Sequence, residues 1–204
     1  MKNVIKFLAI FLFTISIASC SIDDDTIKIQ KHDNNEMMSI MHNMMDKMMG
    51  MQKTNDPDND FAMMMRTHHQ GAIDMSNAEL KSGDDVQMKE MAQMIVEAQT
   101  AEIEQLSLFL NAHSPHKNVP EFSMQQMANM ERSGKVIDLQ IINGDLDHDF
   151  AMLMIQHHQS AIENARLELI YGHEDVMKTM ARNIIEAQDK EIIELQQWIL
   201  SDGK

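Results

Sequence analysis

The chain has 204 residues, of which 44% are hydrophobic and 4% aromatic, and its 17 basic and 32 acidic side chains give a formal charge of −15. A surface this acidic repels nucleic acid and attracts cations, which excludes nucleic-acid binding as a role. One cysteine excludes an internal disulfide and thiolate clusters, while three prolines and seven glycines leave long stretches free for helices.

Residues 1–19 read as a targeting segment. Lys2 and Lys6 lie at the start of an apolar stretch, Val4 to Ile17, that is short for a permanent membrane span. Ile17-Ala18-Ser19-Cys20 resembles a bacterial lipobox. It predicts export and a lipid anchor on Cys20, with an ordinary cleaved signal as the alternative. The chain is then a membrane-anchored lipoprotein of the cell envelope, facing the periplasm or the cell surface.

Residues 20–59 follow as a polar tether and a methionine-rich helix. Met37, Met38, Met41, Met44, Met45, Met48 and Met49 form one helical stripe with His42 beside it. Such a stripe serves either as an adaptable packing face or as a soft-metal surface. On the second reading Met41, His42, Met44, Met45 and Met48 are ligands. Asn55-Asp56-Pro57-Asp58 breaks the helix, and Asp58 to Asp60 offers N-caps for the next one.

From Asp60 the chain says one thing twice. DFAMMMRTHHQGAI returns 89 positions later, from Asp149, as DFAMLMIQHHQSAI, and the match runs on without a gap. Residues 60–112 and 149–204 each read as a helical hairpin, because apolar positions recur at spacings of three and four on both arms. Gly83 and Gly172 mark the turns, with Gly83 suited to a left-handed C-cap. Residues 113–148 connect the copies. Within them Ser123-Met-Gln-Gln126 resembles a capping box that opens a short helix. A unit that cannot bury its own apolar face pairs with its copy. The fold class is therefore all-α, a four-helix bundle of two repeated hairpins with an extra methionine-rich N-terminal helix.

Hairpin geometry places polar groups on the stripe meant for the core. With a turn near Asp84, His68 lies level with Gln99 and Met65 with Glu102. In the second copy His157 faces Gln188 and Met154 faces Glu191. Unpaired burial costs roughly 1–3 kcal/mol for each such group. They require one another or a ligand. A hydrogen-bonded layer would join His68 to Glu102 or Gln99. Against that reading, the histidines come in adjacent pairs, His68-His69 and His157-His158, one turn from Met65 and Met154. Thioethers and imidazoles converging on one point select Cu(I) or Ag(I) over hard cations. His68 and His157 are taken as the inner pair, with Met75 as a further thioether. His113, His116 and His173 fall in loops and read as solvated.

Other chemistries lack their residues. No glutamate is followed three residues later by histidine, as a di-iron bundle requires. There is no HExxH, no phosphate loop and no nucleophile elbow, so no enzymatic activity is expected.

Phe61, Met65, His68, His69 and Gln70, repeated at Phe150, Met154, His157, His158 and Gln159, resemble a bacterial family of exported, ferritin-like four-helix proteins with duplicated F-x-x-x-M-x-x-H-H-Q hairpins. That family includes CopM-type copper-binding proteins. The later element at Ala98, Gln99, Glu102 and Ile103, and again at Ala187, Gln188, Glu191 and Ile192, matches as well. The resemblance implies a helical bundle that binds Cu(I) or Ag(I) through Met and His. This chain departs from the pattern at Asn164, where the first copy has Met75, and at Leu106 and Leu195, where the family often has Met. The expected function is binding of copper, or silver, in metal tolerance or trafficking. The alternative is a structural or protein-interaction bundle whose polar layer is closed by hydrogen bonds.

Overall fold

A computed structural model describes residues 29–202. The targeting segment, Cys20 and most of the tether lie outside the described residues. Among those described, six α-helices follow a 3-10 turn at His32–Asn34: α1 Glu36–Met49, α2 Pro57–Ser82, α3 Val86–Ala112, α4 Pro120–Asp138, α5 Leu146–Tyr171 and α6 Asp175–Asp202. The protein is an all-α bundle. No helix among the described residues is long and apolar enough to cross a membrane.

Helices α2 and α5 meet along the centre, α3 packs along α2, and α6 packs along α5. Helix α1 lies on α2 and also touches α4 and α5, while α4 runs along α5. Helix α4, at 19 residues, is longer than the short helix expected in the connector. The core is methionine-rich around Phe61, Phe122 and Phe150, all fully buried. Burial of each such side chain contributes about 1.5–3 kcal/mol.

Helix starts differ from expectation in an informative way. The cap of α2 is Asp56, which accepts from the Asn59 N–H, and Pro57 takes the first helical position. Asp145 caps α5 in the same manner through the His148 N–H. Asp58 and Asp60 are not caps; they are buried in the first turn and hold other elements. Asp58 accepts from the backbone N–H groups of His173 and Glu174, in the turn of the second hairpin, at 2.9–3.1 Å. Its repeat equivalent Asp147 accepts from Asp84 and Asp85, in the turn of the first hairpin, at 3.0–3.2 Å. Each hairpin thus clasps the turn of the other.

Asp60 gathers the loop before α2 by accepting from Thr54 N–H, Thr54 Oγ1 and Asn55 N–H. It also accepts from Ser123 Oγ at 2.8 Å. Ser123 therefore lies inside α4 and does not open it; the helix begins at Pro120, after Val119, with no side-chain cap. Asp149 does the equivalent work for Asn143 and Gly144, and takes a 2.7 Å bond from Asn35, the cap of α1.

Gly83 is not a left-handed cap. Its φ of −65° and ψ of 161° are extended, as are −59° and 154° at Gly172. What requires glycine is space. A Cβ on Gly83 would collide with the Glu79 carboxylate, and one on Gly172 with that of Glu168. The left-handed positions lie elsewhere, at Asn55 (φ 64°) and its repeat equivalent Gly144 (φ 85°).

Candidate functional site

The adjacent histidines of both copies fall at the middle of α2 and α5, where the two central helices cross. All four rings are 0% exposed. His68 and His157 are the facing pair, with ring centroids 3.6 Å apart and planes tilted by 37°. His69 lies 6.4 Å from His68, and His158 lies 5.7 Å from His157. The four imidazoles thus form one chain across the seam, in the order His69, His68, His157, His158.

Glutamates end that chain on both sides, contributed by α3 and α6. His69 Nε2 lies 2.7 Å from Glu102 Oε2, and His158 Nε2 lies 2.8 Å from Glu191 Oε2. Sequence spacing placed Glu102 level with Met65, and the hydrogen-bonded alternative joined it to His68. In the structure the carboxylate meets His69, one residue further along the helix. Gln99 and Gln188 are buried beside the layer, and neither polar atom of Gln99 has a partner.

Only one directed hydrogen bond enters the four rings. His157 Nε2 donates to the His68 carbonyl at 2.9 Å, which fixes its tautomer and leaves the Nδ1 lone pair free. Apart from the two nitrogens that meet Glu102 and Glu191, the other five have no partner. Burial, then the neighbouring His69 and His158 charges, hold the pKa of His68 well below the ordinary histidine value. Burial, His68 and His158 do the same for His157. Both rings are therefore neutral at physiological pH, the form that ligates metals.

The candidate thioethers divide by location. Met65 and Met154 are fully buried one helical turn before His68 and His157, and Met75 is buried further along α2. Met41, Met44, Met45 and Met48 belong to the packed face of α1, so most of that stripe is core. Met44 differs from its neighbours: its thioether fills the space a Cβ would need on Gly71, one turn beyond His68. His42 stands apart on the outer face of α1, where its Nε2 lies 2.9 Å from Asp138 Oδ1. Asn164, in place of a second-copy methionine, donates to the Ser160 carbonyl and leaves its own Oδ1 unpartnered.

A second polar feature was not legible from spacing. Glu79 and Glu168 are fully buried at opposite ends of the α2–α5 seam. Burial, with Asp147 beside it, raises Glu79 to about 8, and burial, with Asp58 beside it, raises Glu168 to about 10. Both carboxyls are protonated at neutral pH. Burial would also raise Asp147, but hydrogen bonds from Glu79, Asp85 and Asp84 outweigh it and hold this partner below the usual range. The sequence signal was present, since Glu79 and Asp58 recur as Glu168 and Asp147.

The sequence pattern of DUF305, a domain of unknown function, matches residues 18–110 and again residues 107–199. The chain belongs to the DUF305 family. No curated protein matches it. Solved structures of the family share its fold. A Streptomyces coelicolor DUF305 protein described as secreted is 22% identical with a TM-score of 0.59, over 74% of this chain and 96% of that one. A Deinococcus radiodurans DUF305 fragment is 22% identical with a TM-score of 0.52, over 69% and 93%. CopM, in a silver-bound form obtained by soaking, is 25% identical with a TM-score of 0.55, over 74% and 98%.

Proposed function

We propose that the protein binds soft monovalent metal ions, Cu(I) or Ag(I), in the histidine layer between α2 and α5, without catalytic turnover. The observation that carries this reading is the set of five buried ring nitrogens with neither a hydrogen-bonding partner nor a carboxylate contact. A polar layer that served only packing would be closed by hydrogen bonds, because each buried polar group left unmade costs about 1–3 kcal/mol. Neutral imidazoles with thioethers one turn away suit a soft ion and suit Mg²⁺ or Ca²⁺ poorly. The resemblance to CopM, solved with silver bound, supports the same chemistry.

Within this reading His68, His69, His157 and His158 supply nitrogen, and Met65, Met154 and Met44 supply sulfur. Glu102 and Glu191, each with a side chain 21% exposed, mark the outer ends of the layer and are where a cation would enter from solvent. A lipid anchor on Cys20 and an envelope location would place the protein where it could take up copper for tolerance or transfer.

The test is titration of the full chain with Ag(I), and with Cu(I) against a competing chelator. Binding should raise the melting temperature, and a His68→Ala, His157→Ala double variant should lose at least tenfold in affinity. Binding no tighter than millimolar, or unchanged in the double variant, would refute the reading.

A further inference from the structure

A second group of potential ligands lies well away from the histidine layer, at the start of α2. One ring nitrogen each of His113 and His116 and one carboxylate oxygen of Glu174 all lie within 4.8 Å of one another. His113 follows the end of α3, His116 belongs to the connector, and Glu174 lies in the turn before α6. We propose that these three side chains form a site for a borderline divalent cation such as Zn²⁺, with the remaining position open to water.

Asp56, Asp58 and Asn59, at the N-terminal end of α2, build this site. Asn59 Nδ2 donates to the His113 carbonyl at 3.1 Å, which fixes the orientation of its amide. The Asn59 Oδ1 therefore faces His113 Nδ1, at 2.8 Å, and accepts a hydrogen bond from it. The His113 tautomer follows: Nδ1 carries the hydrogen, and the neutral ring presents a bare lone pair at Nε2. That lone pair points at Glu174 Oε1, 3.3 Å away. Two acceptors face each other, and only a cation between them, a proton or a metal, relieves the contact. An imidazole whose other nitrogen is held by an oxygen acceptor is the usual arrangement of a metal-binding histidine.

The other two ligands are anchored by the neighbouring acids. Asp56 accepts from the backbone N–H groups of His116 and Lys117, both at 2.9 Å. Asp58 accepts from the backbone of Glu174 at 2.9 Å. Phe109 stacks on the His113 ring with centroids 4.6 Å apart, so that ring cannot swing away. His116 and Glu174 are 46% and 37% exposed and free to close on an ion. Bonds of about 2.0–2.2 Å require that the three atoms draw together. Two imidazoles and a carboxylate match Zn²⁺, and the absence of sulfur separates this site from one for Cu(I).

An ion here would tie the connector to the turn of the second hairpin. The site shares no residue with the histidine layer, so it can stand or fall independently of silver binding. The test is calorimetric titration of the full chain with Zn²⁺ at neutral pH, together with thermal melts. One site of micromolar affinity is expected, with a higher melting temperature on binding. His116→Ala and Glu174→Gln, both at partly exposed positions, should each weaken binding ~10-fold or more, in the range typical of lost ligands and their supports. The His68→Ala, His157→Ala variant should bind Zn²⁺ as the parent does. Zn²⁺ affinity unchanged in His116→Ala and Glu174→Gln, or no binding at millimolar Zn²⁺, would overturn the proposal and leave His113 and Glu174 in a plain side-chain contact.

Discussion

Replacing both Glu79 and Glu168 by glutamine should abolish the loss of stability on the alkaline side of neutrality. The folded chain raises these carboxyls from 4.5 to about 8 and about 10. A raised folded pKa means that the native state holds a proton the unfolded chain releases. Each contribution is complete below the unfolded value near 4.5 and is lost as pH rises through the folded value. His68 and His157 work in the opposite sense. Their depressed folded pKa makes their contribution complete above the ordinary histidine value of 6.5, and it is lost as pH falls below that. Between the two unfolded values the histidine and glutamate contributions oppose one another, so stability changes less there than above 6.5. Above 6.5 only the glutamates act, each removing about 1.4 kcal/mol per pH unit. Together they give a fall of roughly 4 kcal/mol between pH 6.5 and 8, as an upper bound. Urea unfolding followed by circular dichroism at intervals from about pH 5 to about pH 9 reads this directly. The double variant, with glutamines standing in for protonated acids, should lose the alkaline fall and instead gain stability as pH rises toward 6.5, where the histidine contributions are no longer opposed. An alkaline fall as steep in the variant as in the parent would refute the assignment.

Other substitutions probe the packing and the clasps. Gly71→Ala should destabilise the protein by about 1–3 kcal/mol, because the new methyl meets the Met44 thioether. Urea midpoints would measure it, and shortening Met44 in the same chain should restore part of the loss. Asp58→Asn removes the charge from the acceptor of the His173 and Glu174 amides and should cost about 1.5–3 kcal/mol. Hydrogen exchange at those two amides should quicken well before that of the α2 interior.

The repeat carried much of the architecture. Phe61, Met65 and His68 share one face of α2 because three- and four-residue spacing returns to the same side of a helix, and spacing is visible in a sequence. The polar layer followed from the same rule. Which acid meets which ring did not, since Glu102 pairs with His69 and not His68: a hairpin register fixes a level only to within about a residue. The acids at Asp58 and Asp147 are visible as repeated letters, but spacing reads Asp58 as a cap. Helix-capping preference is local, and their partners lie in the turn of the other hairpin. His113 and His116 looked like solvated loop residues for the same reason, because Glu174 is 61 positions from His113 and only folding brings it there. The α1 methionines show the opposite limit. Their stripe was legible, but whether a thioether is core or ligand depends on what covers it.

The exchanged aspartate clasps bear on where the chain came from. A lone hairpin would carry an acceptor for a turn it does not own and a turn whose amides lack their acceptor. Two identical hairpins would satisfy both needs at once, each across a twofold axis through the facing histidines. The layout of this single chain is that of an isologous homodimer whose halves, each one match to the family pattern, have been joined end to end near residues 107–110. The His157 bond to the His68 carbonyl has no mirror bond in the other direction, so the two halves are not equivalent at the centre.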